Sequence, residues 1–285
     1  MKIIVGVFAC NEEEHLSRCI DSFSTQTIYD DIAKIVIYAD GCTDGTVSIA
    51  HRLASANPRI TVIEHPVRQG KVSRVREFIT SHHGYDAMVV ASADIVLDNT
   101  CLEKMVENLQ DPRCGIVGVR VLPADDDPSG RSMLRRARFQ WDLHHRISMK
   151  RPKFGELIVF RNIDMDIGRG SVDEEQVAHA LRSLGYTGKY EEEAIVHNFP
   201  AASPRALFEQ RRRIWCGHLE LKKRTGYQVP TIAWAEIVKA LWSAGSEHGF
   251  RDVFAAIAVE IPAMMCGYFD CLTGPEKHYK WKKGE

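Results

Sequence analysis

Charged side chains follow short apolar runs at three points in the first third of the chain. Asp40 follows one run, Gly70 and Lys71 follow the next and open a helical pattern, and Asp94 follows a third. A carboxylate at a strand end can hold Mg²⁺ or Mn²⁺ against phosphate oxygens, or accept hydrogen bonds from a base or ribose. A lysine at a helix N-terminus opposes the helix dipole, which indicates an anionic group to be met there. These residue types predict a site for a phosphate-bearing ligand and a divalent cation.

Each of these residues also has a purely structural interpretation. Asp40 precedes a glycine and fits a tight turn, Asp94 fits a cap, and Lys71 fits a solvated basic face. Asn11 and Glu13, which follow the first apolar run, fit helix capping as well as ligand binding. Taken one by one, the residues leave both alternatives open.

The segments that would position these residues alternate between continuous apolar runs and amphipathic stretches. Continuous apolar runs are typical of strands that are covered on both faces. They occur at 3–9, 35–39, 60–63, 87–91 and 116–122. Helical spacing of apolar residues separates them. Strands that alternate with helices predict a doubly wound, mostly parallel α/β sheet with helices on both faces, and such sheets bind ligands at the carboxyl ends of their strands.

The rest of the chain has a different pattern. Residues 131–153 form a basic, helical segment, 156–161 a further strand and 173–184 a further helix, and from about 203 the pattern is helical throughout. We therefore expect three consecutive parts: one half of the sheet domain at 1–122, its second half at 123–202, and a helical C-terminal region at 203–285.

Composition and charge limit the function further. The chain has 285 residues, 45% of them hydrophobic, and a net charge of -1, which gives no general case for nucleic-acid binding. Its eight cysteines form no Cys-x-x-Cys motif, as expected for reduced thiols in a cytoplasmic protein. The N-terminus lacks a signal-peptide pattern. The longest apolar stretch, 253–272, carries Glu260, Pro262 and Asp270, so no membrane-spanning helix is predicted.

Four short motifs follow the first four predicted strands. In order, they are Ala9-Cys10-Asn11-Glu12-Glu13, Ala39-Asp40-Gly41-Cys42-Thr43-Asp44-Gly45-Thr46, Gly70-Lys71 and Ser92-Ala93-Asp94. In this order and spacing they resemble the motifs of family 2 glycosyltransferases with the GT-A fold, over roughly residues 1–215. The resemblance implies a metal-dependent, inverting, hexosyltransferase-like enzyme. Such an enzyme moves a sugar from a nucleotide-diphosphate donor to an acceptor hydroxyl.

The resemblance also implies which residues bind the donor and the metal. The donor-binding residues would be Ala9, Asn11, Glu13, Asp40, Gly70, Lys71, Ser92, Ala93 and Arg211. Asp94 would hold Mn²⁺ or Mg²⁺, and His197 would be either a further metal or phosphate ligand or a satisfied, partly buried histidine. Ala39 and Ser92 stand where the family often has additional acids, so this site would carry less negative charge.

The acceptor side of the site follows from the same resemblance. The segment at 173–177 is similar to the family's acidic pair, which implies Glu174 as the catalytic base and Asp173 as the second candidate. Acids in a first helical turn also favour the helix dipole, and this is the structural alternative. The residues implied for acceptor contact are Gly155, Glu156, Arg161 and Trp215.

The expected partners are a nucleotide-diphosphate sugar and a hydroxyl acceptor, either soluble or lipid-linked. Apolar residues interleave with the basic ones in 131–153, which fits contact with an anionic membrane on the cytoplasmic face or a core-packed helix with a solvated basic face. A sugar nucleotidyltransferase would need a glycine-rich loop after the first strand, and none is present. A non-catalytic sugar-nucleotide-binding protein is the remaining alternative, because Ala39 and Ser92 stand where the family often has acids.

Overall fold

A computed structural model of the chain describes residues 1–124, 131–201, 203–232 and 234–280. By internal contacts the chain forms two compact units, which we call the sheet unit and the helical unit. The sheet unit contains Met1–Arg120, Phe154–Arg169 and Asp173–Asn198. The helical unit contains Val121–Lys153, Gly170–Val172 and Phe199–Glu285. The expected division into three consecutive parts, with boundaries after residues 122 and 202, stays a prediction.

Eight strands form a single sheet in the order β3-β2-β1-β4-β7-β6-β8-β5. The strands are β1 (Ile3–Ala9), β2 (Ile32–Asp40), β3 (Ile60–His65), β4 (Ala87–Ser92), β5 (Ile95–Leu97), β6 (Cys114–Pro123), β7 (Leu157–Arg161) and β8 (Thr187–Asn198). All five apolar runs in the first half and the run at 156–161 are therefore strands. The pattern did not predict β5 or β8, and His197 lies inside β8.

Five helices belong to the sheet unit and four to the helical unit among the described residues. Those of the sheet unit are α1 (Leu16–Ser24), α2 (Thr46–Ala56), α3 (Lys71–Ser81), α4 (Cys101–Asn108) and α6 (Asp173–Ser183). Those of the helical unit are α5 (Arg131–Ser148), α7 (Pro204–Thr225), α8 (Trp234–His248) and α9 (Phe250–Thr273).

Both faces of the sheet are buried, because alternate side chains of each strand point to opposite faces. One face packs against α3 and α6, where Tyr38 of β2 and Met88 of β4 share a core with Phe78 and Val177. On the opposite face Val5 and its neighbours of the same parity are also fully buried. The α/β fold with helices on both faces is thus confirmed.

The sheet is mixed rather than mostly parallel. Strands β3, β2, β1 and β4 pair in parallel, in that order. Strand β7 runs antiparallel to β4 and β6, and β5 runs antiparallel to β8. Because β7 is reversed, its first residue, Leu157, pairs with Ala91 near the carboxyl end of β4. The start of β7 therefore lies at the edge where the parallel strands end.

The helical unit has its own apolar core. Trp215 and Leu221 of α7 pack with Ala263 of α9, and Gly267 of α9 lies so close to α7 that a Cβ atom would be 2.7 Å from the Arg212 carbonyl oxygen. Phe139 of α5 packs with α8 and α9. The helical pattern from 203 onward is confirmed. The apolar residues Met133, Phe139 and Ile147 of α5 are buried, so this face of α5 is packed within the unit.

The longest helix, α9, is apolar on both its inner and its outer face. Within the described ranges it is the helix with the length and composition expected of a membrane-crossing segment. It carries exposed large apolar side chains along its outer face: Phe250, Phe254, Ile261, Met265, Tyr268, Phe269 and Leu272. Its three acids face inward and pair with arginines, Asp252 with Arg135, Glu260 with Arg211 and Asp270 with Arg212.

Candidate active site

Hydrogen bonds join the loops that follow β1 and β2. Asn11 Oδ1 accepts from the Thr43 amide at 2.8 Å, and Glu13 Oε2 accepts from the Gly45 amide at 2.7 Å. The Glu13 amide donates to Asp44 Oδ2 at 3.2 Å. Asn11 has a φ of 57°, which asparagine tolerates better than most residues. Asn11 and Glu13 therefore shape the edge of the sheet where a donor is expected, and their contact with it stays a prediction.

Asp40 is buried and bound to protein groups on all sides. It is 5% exposed, and its carboxylate accepts hydrogen bonds from the Gln69 and Gly70 amides, the latter at 2.7 Å. Arg74 Nε donates to it at 2.8 Å. Gly70 has a φ of 93°, a conformation that favours glycine. Asp40 thus holds the turn that leads from β3 into α3, and the expected contact with base or ribose stays a prediction.

Two alanines and two thiols complete this edge. Ala9 and Ala93 are buried, at the end of β1 and in the turn between β4 and β5. Cys42 Sγ donates to the Ala9 carbonyl oxygen at 3.7 Å. A hydrogen bond from the Cys10 thiol lowers the pKa of Cys42 to about 7, although burial opposes the shift. No sequence pattern indicated this thiol pair, because Cys10 and Cys42 are distant along the chain.

Lys71, the first residue of α3, stands at the centre of a charged cluster. Its Nζ donates to Glu174 Oε1 at 2.7 Å and to Ser92 Oγ at 3.0 Å, and it lies 3.1 Å from Asp173 Oδ2. Burial alone would lower the pKa of Lys71, but the charges of Asp173, Glu174 and Glu156 raise it above its ordinary value. Burial and the Glu174 charge raise the pKa of Asp173 to about 6. The structure therefore brings the two candidate bases, a cation and Ser92 together.

Glu156 lies beside this cluster in a strained conformation. Its φ is 58°, unusual for a residue with a side chain, and its carbonyl oxygen accepts a hydrogen bond from the Ser92 amide at 2.9 Å. Such strain is found preferentially at functional sites. Gly155 bridges to Leu157 immediately before β7. Gly155 and Glu156, two of the residues expected to contact the acceptor, are thus next to Lys71 and Ser92.

Arg161 lies at the far end of β7 from this cluster, and its expected contact with the acceptor stays a prediction. Because β7 is antiparallel to β4, Arg161 pairs with Ala87 at the start of β4, the opposite edge of the sheet from Ser92. Its guanidinium donates to the carbonyl oxygens of Cys114 at 2.8 Å and of Asp111 at 2.9 Å. Arg161 therefore holds the turn before β6 rather than facing the charged cluster.

Of the two residues expected to bind metal, Asp94 directly precedes β5, and His197 lies on the neighbouring strand β8, where it pairs with Val96. Asp94 follows β4, is half-buried, and makes no hydrogen bond or ion pair with the described residues. His197 contacts Asp98 at 3.0 Å, and Asp94 and Asp98 stand at opposite ends of β5. Within the described residues no group of three or more His, Cys, Asp or Glu side chains is arranged to hold a metal. Asp94 is thus the available carboxylate, and the metal role of His197 stays a prediction.

Arg211 and Trp215 lie on α7, inside the helical unit. Arg211 Nε is 2.5 Å from Glu260 Oε1, and the Trp215 indole donates to Glu260 Oε2 at 2.8 Å. Trp215 is 9% exposed and part of the core of this unit. Both side chains have partners within their own unit, and the donor and acceptor roles expected for them stay predictions.

Arg74 is an important residue of the site whose role the sequence did not reveal. A basic side chain after Lys71 indicated an anionic ligand, but Arg74 is 4% exposed and pairs with Asp40 and with Glu77. An acidic residue at the end of β2 and an arginine in α3, the helix after the neighbouring strand β3, were a signal for an internal ion pair.

The sheet architecture is that of known sugar-transferring enzymes. The mannosyltransferase PcManGT from Pyrobaculum calidifontis, in complex with GDP-Man and Mn²⁺, is similar with a TM-score of 0.66 and 19% identity, over 95% of this chain and 87% of that one. TarS 1-349 from S. aureus is similar with a TM-score of 0.52 and 13% identity, over 98% and 89% of the two chains. GalNAc-T7 with UDP, GalNAc and Mn²⁺ has a TM-score of 0.50 and 12% identity, over 70% and 43%. These similarities show the GT-A fold.

The sequence identifies the family. Residues 4–173, more than half of the chain, match the family model of glycosyl transferase family 2. No curated protein sequence matches the chain significantly. The chain therefore belongs to glycosyl transferase family 2, as its motifs indicated.

Proposed function

We propose that the protein transfers a hexose from a nucleotide-diphosphate sugar to an acceptor hydroxyl in a single inverting displacement. The observation that carries the proposal is the cluster in which Lys71 contacts Asp173, Glu174 and Ser92 at the carboxyl end of β4. A half-buried cation held by two carboxylates at such an edge offers a phosphate-binding group, and the carboxylates offer a base.

Glu174 is the base in this proposal. A base must take the proton of the acceptor hydroxyl as its oxygen attacks the anomeric carbon. The Glu174 side chain is 14% exposed and that of Asp173 is 5% exposed, so Glu174 is the more accessible of the two carboxylates. The buried Asp173 then holds Lys71 in place, and it remains the second candidate.

Lys71 has two roles in the same scheme. Without donor it pairs with Glu174 and so holds the base in place. A donor diphosphate at the start of α3 competes with Glu174 for the Lys71 ammonium. The N-terminus of α3 attracts the same phosphate oxygens and so favours their position near Lys71. Movement of Lys71 toward the diphosphate frees Glu174 to accept a proton. Donor binding would thereby precede activation of the acceptor.

The residues present fit a divalent cation at Asp94. A carboxylate oxygen suits Mn²⁺ or Mg²⁺, and such ions are commonly held by one or two carboxylates together with substrate phosphates. Asp94 makes no hydrogen bond with the described residues, so its oxygens are available. A cation bound there would neutralise charge on the leaving diphosphate. Lys71 supports the same diphosphate from α3.

We further propose that the protein is cytoplasmic and binds a membrane surface through α9. The outer face of α9 is apolar and aromatic, and Phe254 and Phe269 are 68% and 64% exposed. The acids of α9 are paired inward, so they do not oppose contact with lipid. The exposed Lys150 and Arg151 after α5 favour an anionic surface. An acceptor linked to a lipid would be met at such a surface.

A sugar-nucleotide-binding protein without transferase activity is the second candidate. Ser92 and Ala39 replace acids that the family often has, and the Ser92 hydroxyl is taken up by Lys71. This candidate predicts donor binding with no transfer and no donor hydrolysis.

The test begins with binding and proceeds to turnover. Thermal melting of the full chain is measured with GDP- and UDP-sugars, each with and without Mn²⁺. A donor at a hundredfold excess over its Kd raises the stability by about 2.7 kcal/mol. The donor that raises the melting temperature is then tested for hydrolysis and for transfer to candidate acceptors. Binding without either reaction supports the non-catalytic candidate, and the absence of binding by every donor contradicts both.

A further inference from the structure

A cavity of about 330 Å³ lies within the helical unit, between α5, α7, α8 and α9. Its volume is in the range of small-molecule binding sites. Most of its lining is aliphatic or aromatic, as with Phe139, Leu143, Leu207, Leu241 and Met264. Open space of this kind lowers the stability of a protein in proportion to its volume unless something fills it. The proposed transfer reaction makes no use of this cavity.

The cavity is elongated along the helices that form it. On α5 its lining extends from Arg136 to Ile147, and on α9 from Asp252 to Met264. At the rise of an α-helix these stretches correspond to about 16 and about 18 Å. A long, narrow apolar space matches an extended hydrocarbon chain better than a compact ring system.

The mouth of the cavity lies at the apolar surface of the unit. Val238 of α8 and Ile261 of α9 both line the cavity, and they are 59% and 46% exposed. Ile261 belongs to the outer face of α9, together with Phe254 and Met265. A ligand that enters here arrives across an apolar surface, as a lipid does when it leaves a bilayer.

One charged side chain of the lining has no partner among the described residues. Arg211 pairs with Glu260, and Asp252 pairs with Arg135. Arg136 also lines the cavity and is half-buried, yet among the described residues it has no hydrogen bond or ion pair. A half-buried guanidinium next to apolar walls favours an anionic group, and phosphate and carboxylate match its geometry.

We propose that this cavity binds the single apolar chain of an anionic amphiphile, whose headgroup contacts Arg136. The chain lies along α5 and α9, and the headgroup stays near the end of the cavity at Arg136. This site is distinct from the donor site of the sheet unit. Its occupancy is measured as binding, so a negative result leaves the proposed transferase activity untouched.

The binding test uses dodecyl phosphate below its micelle concentration, titrated into the full chain in a calorimeter. Dodecanol tests the apolar chain alone, and inorganic phosphate tests the headgroup alone. We expect one molecule of dodecyl phosphate per protein, with dodecanol bound about tenfold more weakly because a charged hydrogen bond is lost. Failure of dodecyl phosphate to bind, or equal binding by inorganic phosphate, overturns the proposal.

Two matched substitutions on α9 locate the site. Ala256 lines the cavity, whereas Ala258 is exposed on the same helix and lines no part of it. Ala256→Trp is expected to weaken dodecyl phosphate at least tenfold by filling the cavity, whereas Ala258→Trp leaves the affinity unchanged. Equal affinities of a folded Ala256→Trp and the wild type contradict the assignment.

A smaller substitution keeps the test valid if the tryptophan variant does not fold. Ala256→Leu fits an open space without displacing packed neighbours, so its melting temperature is expected to match or exceed that of the wild type. A large fall in melting temperature shows that the position is already packed and overturns the proposal. Arg136→Gln is expected to abolish the preference for dodecyl phosphate over dodecanol, and a retained preference contradicts the headgroup assignment.

Discussion

The sheet unit and the helical unit use buried charge in opposite ways. In the sheet unit Lys71 lies between Asp173 and Glu174, so one cation meets two anions at a single edge of the sheet. In the helical unit each acid of α9 has an arginine of α5 or α7, as Glu260 has Arg211. Because Asp173 and Glu174 share the one cation Lys71, one of these carboxylates can change its partner. Pairing of each α9 acid with an arginine leaves no such carboxylate and turns the remaining apolar surface outward.

This difference follows from how each unit places its side chains. The parallel strands β1, β2 and β4 end at one edge, and the reversed β7 begins there, so unrelated segments bring charges to the same place. Adjacent helices instead meet along their length, where an acid on one finds a base on the other. We therefore expect substitutions in the sheet unit to change chemistry and those on α9 to change the surface to which the protein binds.

The largest effect is expected at Asp94. Asp94→Ala removes the available carboxylate at the end of β4, so the donor diphosphate loses its cation and transfer falls below detection. Activity is measured across a Mn²⁺ titration. Asp98→Ala is the matched control, because Asp98 stands at the other end of β5 and contacts His197. Near-normal, metal-dependent transfer by Asp94→Ala would show that another residue holds the cation.

The next effect is at the proposed base. Glu174→Gln keeps the shape of the side chain and its hydrogen bond to Lys71 but removes its basicity, so the transfer rate is expected to fall roughly 10²–10⁴-fold. Donor affinity stays nearly unchanged. A merely structural acid in the first turn of α6 predicts a loss of about 0.3–1 kcal/mol in stability and little change in rate.

Asp173→Asn is the control for this prediction. An inactive Asp173→Asn with an active Glu174→Gln moves the base by one residue and leaves the mechanism intact. Full activity in both variants would mean that the acidic pair is structural.

The buried pair of Asp40 and Arg74 tests stability rather than chemistry. Asp40→Asn leaves Arg74 without its main partner in a buried position, and the cost is expected to be about 3 kcal/mol in the free energy of unfolding. Asp30→Asn is the control, because the Asp30 side chain is fully exposed and its pair with Arg59 lies at the surface. Urea unfolding measures both. A similar, small effect of the two changes would show that Asp40 does not hold the turn.

The pH dependence separates activity from stability at Asp173. Burial and Glu174 raise its pKa from 3.8 to about 6, so it is ionised in the folded protein only above that pH. Transfer is expected to fall about tenfold per pH unit below pH 6, where the cluster loses a charge that holds Lys71.

The stability of the protein changes in the opposite direction. An acid with a raised pKa favours folding when protonated, so the contribution of Asp173 to stability falls as the pH rises from 3.8 to about 6. In Asp173→Asn both trends should disappear from this range, and a wild-type rate that is flat down to pH 5 contradicts the assignment.

The parts that the sequence predicted are those in which local pattern and final structure agree. Continuous apolar runs gave β1 to β4 because each such strand is buried on both faces. A five-residue run cannot show its direction, so the reversal of β7, and with it the position of Arg161, came only from the structure. Likewise the amide partners of Asp40 belong to a turn about 30 residues later, which no local pattern connects to it.

The outer face of α9 illustrates the same limit, and it gives the smallest predicted effect. The sequence showed Glu260 and Asp270 within the apolar stretch and could not show that both point inward to α7. If the outer face meets lipid, the full chain should float with anionic vesicles at low salt and less well with neutral ones. Phe254→Ser is expected to weaken vesicle binding about fivefold. The aromatic side chain enters the lipid interface only in part, so its removal costs only part of its full transfer free energy.

Val67→Ser is the matched control for the vesicle experiment. Val67 is 64% exposed, close to the 68% of Phe254, but it belongs to the sheet unit. Equal losses in the two variants would mean that binding follows general surface hydrophobicity rather than α9. No flotation of the wild type with anionic vesicles would contradict the membrane proposal itself. In that case the exposed aromatic side chains of α9 would need a protein partner to cover them, because a patch of this kind on a soluble chain promotes association.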